Sequence, residues 1–370
     1  MNPPPRTARS HAAVQIVLRG ADWTSDPHRA SQVPDLAAEA LSSVLLFMDA
    51  PDHTRVRGLI SKAFTPRSIE RLRPRIAELT EELLAPIREA GALDVISDFA
   101  YPLPVTVICE LLGVPAADRE LFRTLTRDMA AVIDLDATAE DYGRAAGAAL
   151  TFTAYLVPLF EHRRRDPEDD LISALVAAEE AGDRLAADEL LTTVMLLLVA
   201  GHETTMNLIG NGLLALLRHP DQLELLRTHP ELMSAAVEEL LRYDTPVRRV
   251  PRIARRNTLL DGQHIAAGEQ VIAMLHDANH DPTVFPSPDA LDITRDARRH
   301  VAFGAGAHHC LGAPLARAEA QVALAALVDL PDLQLVTDEQ RWRPIETLHA
   351  LESLSVAFDP AAASAIAGAR

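Results

Sequence analysis

Along most of this chain apolar residues recur at intervals of three and four, the period of an amphipathic helix. The longest such pattern spans 190–217 and is apolar nearly all round, which predicts a buried central helix. Shorter patterns predict helices over 12–19, 52–63, 66–90, 99–112, 117–133, 138–165, 231–243 and 311–327. Thr65-Pro66 marks one start, with Thr as N-cap and Pro at the first helical position, and Gly91 marks the matching end. After Pro246 the pattern shortens and turn residues appear at Asp261-Gly262 and Ala267-Gly268, which predicts strands at 252–254, 258–260 and 270–275. The stretch 278–304 is rich in Pro and Asp and irregular, and 333–358 reads as short strands and loops. Residues 1–11 carry no such pattern and read as a disordered N-terminus. The rest, 12–370, has no repeat, low-complexity tract or linker and reads as one domain. The expected fold is mainly α with small β-sheets.

Composition narrows the function classes. Aromatic residues make up only 4% of the chain while Ala and Leu dominate, which favours helices. Lys and Arg number 35 against 53 Asp and Glu, a formal charge of −18. That balance argues against binding nucleic acid or an anionic membrane. The most apolar window, 190–200, is half the roughly 20 residues needed to span a bilayer, and Gly201-His202-Glu203 interrupts it. Two cysteines, Cys109 and Cys310, suggest no disulfide framework and suit a reducing cytoplasm. Cys109 lies in an apolar pattern and reads as a packed core thiol.

Candidate chemistry concentrates in 300–317, HVAFGAGAHHCLGAPLAR. Cys310 falls just before a predicted helix, whose free N–H groups and dipole favour a thiolate. Gly304 and Gly306 free the backbone to turn sharply and to approach something flat and bulky. From these residues alone Cys310 is a nucleophile, a metal ligand or a buried structural thiol. Further upstream, His53 and Arg57 lie four apart on one helix face, a donor pair suited to an anion. Ala200-Gly201-His202-Glu203-Thr204-Thr205 puts a carboxylate and hydroxyls inside the central apolar helix, where they are costly unless paired or used. A hydroxyl there can bond back to the carbonyl one turn earlier and open the helix, and Gly201 would leave the resulting groove unfilled. Glu239 and Arg242, three apart, can pair.

Taken together these segments resemble the cytochrome P450 family. Phe303, Gly304, Gly306, His308, Cys310, Gly312, Leu315, Ala316 and Arg317 match its pattern Phe-Gly-x-Gly-x-His-x-Cys-x-Gly-x-x-Leu-Ala-Arg. The resemblance implies heme b as cofactor, with Cys310 as the iron ligand, and a thiolate in that place favours O–O cleavage. It implies that His53, Arg57, Arg252 and His308 bind the haem propionates. It places Ala200, Gly201, Phe303, Gly304 and Gly312 against the cofactor. Glu203 and Thr204 match the catalytic pair that delivers protons, a task that a carboxylate and an alcohol can share. Glu239 and Arg242 match a structural Glu-x-x-Arg pair whose third partner is Arg295 or His300. His280 departs from the arginine that is usual in Ala-Asn-x-Asp-Pro. Family members carry a longer N-terminal segment, so the first helix and opening strands are expected to be missing here.

The implied activity is that of a bacterial-type haem-thiolate monooxygenase that hydroxylates or epoxidises an apolar small molecule. Its electrons are expected from a ferredoxin and ferredoxin reductase, because the chain has no flavin or iron–sulfur motif. A basic patch around Arg57, Lys62 and Arg317 is expected to receive that donor. By the resemblance, pocket walls come from 35–47, 117–141, 194–200, 245–250 and the loop at 349–351. Arg248 and Arg249 are candidate anchors for an acidic substrate group. The Ala- and Arg-rich composition points to natural-product biosynthesis in a bacterium, on a polyketide, peptide or terpenoid, by a monomer. A peroxide-driven peroxygenase and a non-catalytic haem-binding protein that recruits a partner are the rival readings. The presence of Cys310, Glu203 and Thr204 together argues against them.

Overall fold

In the computed structural model the chain is described over residues 5–31, 38–39, 41–132, 134, 137–180 and 185–361. It opens with β1 (Arg6–Ala8) and α1 (His11–Arg19), whose first turn is capped by the Ser10 hydroxyl accepting from the Ala13 N–H. β2 (Trp23–Thr24) and α2 (Asp52–Ile60) follow. α3 (Pro66–Ala90) starts where the Thr65 side chain accepts from the Ser68 N–H and stops at Gly91, left-handed at φ 71°. Next come β3 (Ala92–Asp94), a π-helical turn (Ile96–Ala100), α4 (Pro102–Leu112) and α5 (Arg119–Ala131). α6 (Ala139–Arg165) begins with a capping box between Thr138 and Asp141 and leads through α7 (Leu171–Glu180) to the central α8 (Ala187–Arg218). α9 (Pro220–Thr228), α10 (Met233–Tyr243), β4 (Arg249–Ala254), β5 (Thr258–Leu260), β6 (Gln263–Ile265) and β7 (Gln270–Met274) come next. α11 (Leu275–Asn279), α12 (Ala313–Val328), β8 (Gln334–Leu335) and β9 (Ser355–Ala357) complete the order.

The architecture is mainly helical with small sheets, as the pattern predicts. A four-stranded sheet has the order β1-β7-β4-β2, with β1 parallel to β7 and the other pairs antiparallel. β3, β9 and β8 make a second sheet, and β5 and β6 a hairpin. That hairpin turns at Asp261-Gly262, both at positive φ, which matches the right-handed twist of the strands. One large apolar core joins α3, α4, α8, α10 and α12, and a smaller one lies between α1 and the four-stranded sheet. Among the described residues no helix is long and apolar enough to cross a membrane.

Several expectations need correction. Arg6–Ala8, inside the stretch read as disordered, pair with Val271–Ala273 as an edge strand; residues 1–4 lie outside the described residues. α2 ends at Ile60 rather than at residue 63, because Thr65 before Pro66 is held extended and the chain leaves the helix first. The pattern over 99–112 divides at Tyr101 into the π turn and α4. α7, α9 and α11, five to ten residues long, were not expected.

Candidate functional site

The cysteine loop is closed by the Cys310 N–H donating to the Phe303 carbonyl at 2.8 Å. Gly304 and Gly306 sit at φ 69° and 74°, where side chains are strained. A Cβ on Gly306 would also lie 2.6 Å from the Leu18 carbonyl oxygen, so this glycine serves close approach to the end of α1 rather than to a flat ligand. Gly312 caps α12, and the N–H groups of Gly312 and Ala313 bond toward the Cys310 sulfur. The Cys310 side chain is solvent-accessible and yet deep among protein atoms, as befits a group that lines a cavity. Burial raises the thiol pKa and outweighs the two N–H groups and the nearby Arg57 and Arg317. The helix N-terminus alone therefore does not make Cys310 a thiolate, contrary to expectation. A metal cation at the sulfur would supply the missing charge, since a coordinating thiol is deprotonated outright.

Nitrogen donors of two histidines and two arginines converge beside it. His53 and His308 pack ring against ring, with centroids 4.3 Å apart. The Arg57 guanidinium donates to the His309 carbonyl at 2.5 Å and lies within electrostatic reach of Cys310. Arg252 donates to the Pro251 carbonyl at 2.7 Å, and among the described residues no carboxylate bonds to it. Burial lowers its pKa to about 10. Burial, then Arg252, His53 and Arg57, pushes His308 down to about 3, and burial with Arg57 lowers His53 as well. The His53 Nε2 atom is buried without a partner. The two guanidiniums and an orphaned imidazole nitrogen near an accessible thiol could together receive an anionic ligand that carries a thiophilic metal.

α8 contributes the other wall. Ala200 is exposed in the middle of a buried helix, and Thr204, one turn on, donates to the Ala200 carbonyl at 3.3 Å. The back-bond expected from the sequence is present, but the helix runs on unbroken through it. Gly201 differs from expectation: a Cβ there would lie 2.9 Å from Ile108 Cγ1, so its small size serves the contact between α4 and α8, not a groove. Glu203 is buried and accepts from Arg343 Nη1 at 2.7 Å. His202 is fully buried, with Nδ1 2.7 Å from the Leu198 carbonyl and Nε2 3.2 Å from the Thr126 hydroxyl. Thr205 lies beside Glu319 of α12, so the α8 wall and the helix that follows Cys310 meet.

A family model for cytochrome P450 matches residues 8–356. The chain belongs to the cytochrome P450 family. It is a monooxygenase of that family, and the family's cofactor is heme b. This P450 is similar to vitamin D(3) 25-hydroxylase of Pseudonocardia autotrophica, 46% identical over 325 residues that cover 86% of this chain and 79% of the relative. It is also similar to the polyketide biosynthesis cytochrome P450 PksS of Bacillus subtilis, 44% identical over 323 residues, 86% of this chain and 78% of the relative. Among solved structures, P450BioI in complex with a hexadec-9Z-enoic acid ligated acyl carrier protein superposes with a TM-score of 0.91. It is 38% identical, and the match covers 96% of this chain and 92% of that chain.

Behind the cysteine loop this P450 is braced by two buried networks. Arg242 forms a two-pronged bond with Glu239 at 2.7 and 2.8 Å and donates to the carbonyls of Asn279, Pro288 and Ala290. The third partner is Arg295, 3.1 Å from Glu239. His300 belongs to the second network: its Nδ1 accepts from the Ala302 N–H, so its Nε2 donates to Glu238 at 3.1 Å. Arg317 donates to both Glu238 oxygens at 2.6 and 2.9 Å, with its guanidinium 4.5 Å from the Phe303 ring centre. Asn279 is buried between the Thr245 hydroxyl and the Val301 N–H, and His280, which caps the C-terminus of α11, enters neither network.

Sequence reasoning missed Glu238, Glu319 and Arg343. Glu238 sits next to the Glu-x-x-Arg pair, and its i, i+4 face toward the loop was the available signal; for Arg343 there was none. Arg249, a candidate substrate anchor, is held by Asp134 and Glu346, each at 2.8 Å, and Arg248 lies 3.6 Å from Asp244. Of the expected pocket walls, residues 35–37, 40, 133, 135 and 136 lie outside the described residues.

Proposed function

We propose that this P450 consumes O₂, two electrons and two protons, places one oxygen atom into a C–H or C=C bond of an apolar small molecule, and releases the other as water. Cys310 holds the iron of heme b, and His53, Arg57, Arg252 and His308 hold its propionates. Ala200, Phe303, Gly304 and Gly312 lie against the ring. When bound, the haem supplies O₂ activation. The observation that carries this reading is the accessible Cys310 thiol near the buried Arg252, to which no carboxylate is hydrogen-bonded among the described residues. Thr204 presents its hydroxyl on the accessible face of α8, and Glu203 is the carboxylate from which protons reach it.

Electrons arrive from a ferredoxin and its reductase. Of the three residues expected in the docking patch, Arg57 and Arg317 are engaged internally, and Lys62 is exposed. Arg67 and Arg71 stand exposed one turn apart on α3, which packs along α12 with Arg73 donating to Gln321. Among the described residues no ion pair occupies Lys62, Arg67 or Arg71, so they offer an acidic donor a local positive surface on a chain of charge −18. The similarity to a polyketide-biosynthesis P450 and to one crystallised with an acyl carrier protein supports a lipophilic biosynthetic intermediate as substrate.

The test is turnover of candidate intermediates under ¹⁸O₂ with ferredoxin, reductase and NADPH. One labelled oxygen per product molecule is expected. Label arriving from water, or equal turnover with hydrogen peroxide alone, contradicts the O₂-driven reaction. Activity confined to simple fatty acids contradicts the natural-product assignment.

A further inference from the structure

We infer that Arg343 is the positioning residue for Glu203, and that it ties this acid to the loop at 349–351. The inference rests on the monooxygenase reading above. Ala200 and Thr204 share the accessible face of α8, and Glu203 points aside from it to a guanidinium supplied from far along the chain. Both side chains of the pair are less than a tenth exposed. Arg343 lies on a segment folded back on itself. Its N–H donates to the Ala350 carbonyl at 2.8 Å, Glu352 N–H donates to the Arg341 carbonyl at 2.9 Å, and Trp342 bridges Leu351. The Trp342 and His349 rings stack with centroids 3.7 Å apart, and His349 Nδ1 is 2.6 Å from Asp244. The same segment returns to α8 two turns beyond Glu203, where Asn211 donates to the His349 carbonyl at 2.8 Å. The loop at 349–351 is thus fastened to α8 at both ends of one span, and one of the fastenings is the acid itself.

This arrangement does two things. The guanidinium gives Glu203 a counter-ion and holds it in one orientation inside an apolar helix bundle, where an unpaired carboxylate is costly. It also makes the position of the acid depend on how the loop at 349–351 is folded. The titratable groups packed around the pair are His202 of α8 and Tyr101, which precedes α4. Burial lowers the former and raises the latter, so both are neutral near pH 7 and leave the pair to each other.

Two readouts on the haem-loaded enzyme test this. Infrared spectroscopy of the resting enzyme reads Glu203 as a difference against E203Q, which removes the signal of other buried acids such as Glu319: the Glu203 carboxylate bands are expected to move in R343Q, and E203Q/R343Q to match E203Q. The second is coupling, the share of consumed electrons recovered in product rather than in peroxide. R343Q is expected to lose coupling as E203Q does, about tenfold, R343K to retain most of it, and the double variant to match E203Q. The double variant strands no charge, so it serves even where R343Q fails to fold. A double variant clearly worse than E203Q, or an R343Q enzyme coupled like wild type while E203Q is not, overturns the role of Arg343. An E203Q enzyme coupled like wild type instead defeats the proton-delivery assignment on which the inference rests.

Discussion

Arg252 shows how a single side chain reports a ligand. No spacing motif surrounds it in the sequence, and its burial in the fold is what points to a ligand. Burial brings its pKa down to about 10, so near neutral pH it is still a cation, desolvated and unpaired by any carboxylate among the described residues. Such a charge is costly to the protein without its ligand. Arg252→Met is therefore expected to keep or raise the stability of the apoprotein in urea. In the holoenzyme it should speed haem loss to an apomyoglobin acceptor roughly tenfold or more, the worth of one charge-assisted bond. Loss of apoprotein stability with unchanged haem retention would contradict a propionate role. At this scale the residues with a motif around them, Cys310, His53, Arg57 and His308, were legible because spacing carries their chemistry. Arg343 was not, since its partner lies 140 residues away and only the folded chain brings the two together.

Between elements, Glu238 acts as a clasp. It joins α10 to the loop before Cys310 through His300 and to α12 through Arg317. Burial alone would raise its pKa, but the hydrogen bonds from His300 and Arg317 outweigh it and hold the carboxyl at about 2, against an ordinary 4.5. An acid whose pKa is lower in the folded state adds stability above its unfolded value and loses it as pH falls toward its folded value. The advantage of wild type over Glu238→Gln in urea midpoint is therefore expected to be full at neutral pH and to shrink between about pH 4.5 and 2. A difference independent of pH would mean that the clasp contributes shape and no charge. Helix ends set by caps, Thr65 to Gly91 and Thr138 to Arg165, were legible because capping is local chemistry. α7, α9 and α11 are short and owe their form to neighbours, which a window of sequence does not contain.

Across the whole molecule, the central helix α8 carries the reacting face, α12 presents the cysteine at its N-terminus, and the small sheet with α1 supports the loop from outside. Gly306 fits against the end of α1, and Val301 and Ala305 of the cysteine loop pack into the second, smaller core, which so reaches the site. The fold class was legible from periodicity and the order of motifs. The sheet partnership of Arg6–Ala8 was not, because three residues pairing with a strand more than 260 positions away leave no local pattern. All of this converges on Cys310, whose thiol is raised by burial and is expected to ionise only when a metal takes its place in the charge balance. The absorption spectrum of the reduced, carbon monoxide-treated enzyme tests that most directly. A Soret band shifted far to the red in wild type, and lost in Cys310→Ala, is the expected result. A wild-type band at the position of histidine-ligated haem, or a red-shifted band that survives in Cys310→Ala, would contradict thiolate ligation by Cys310.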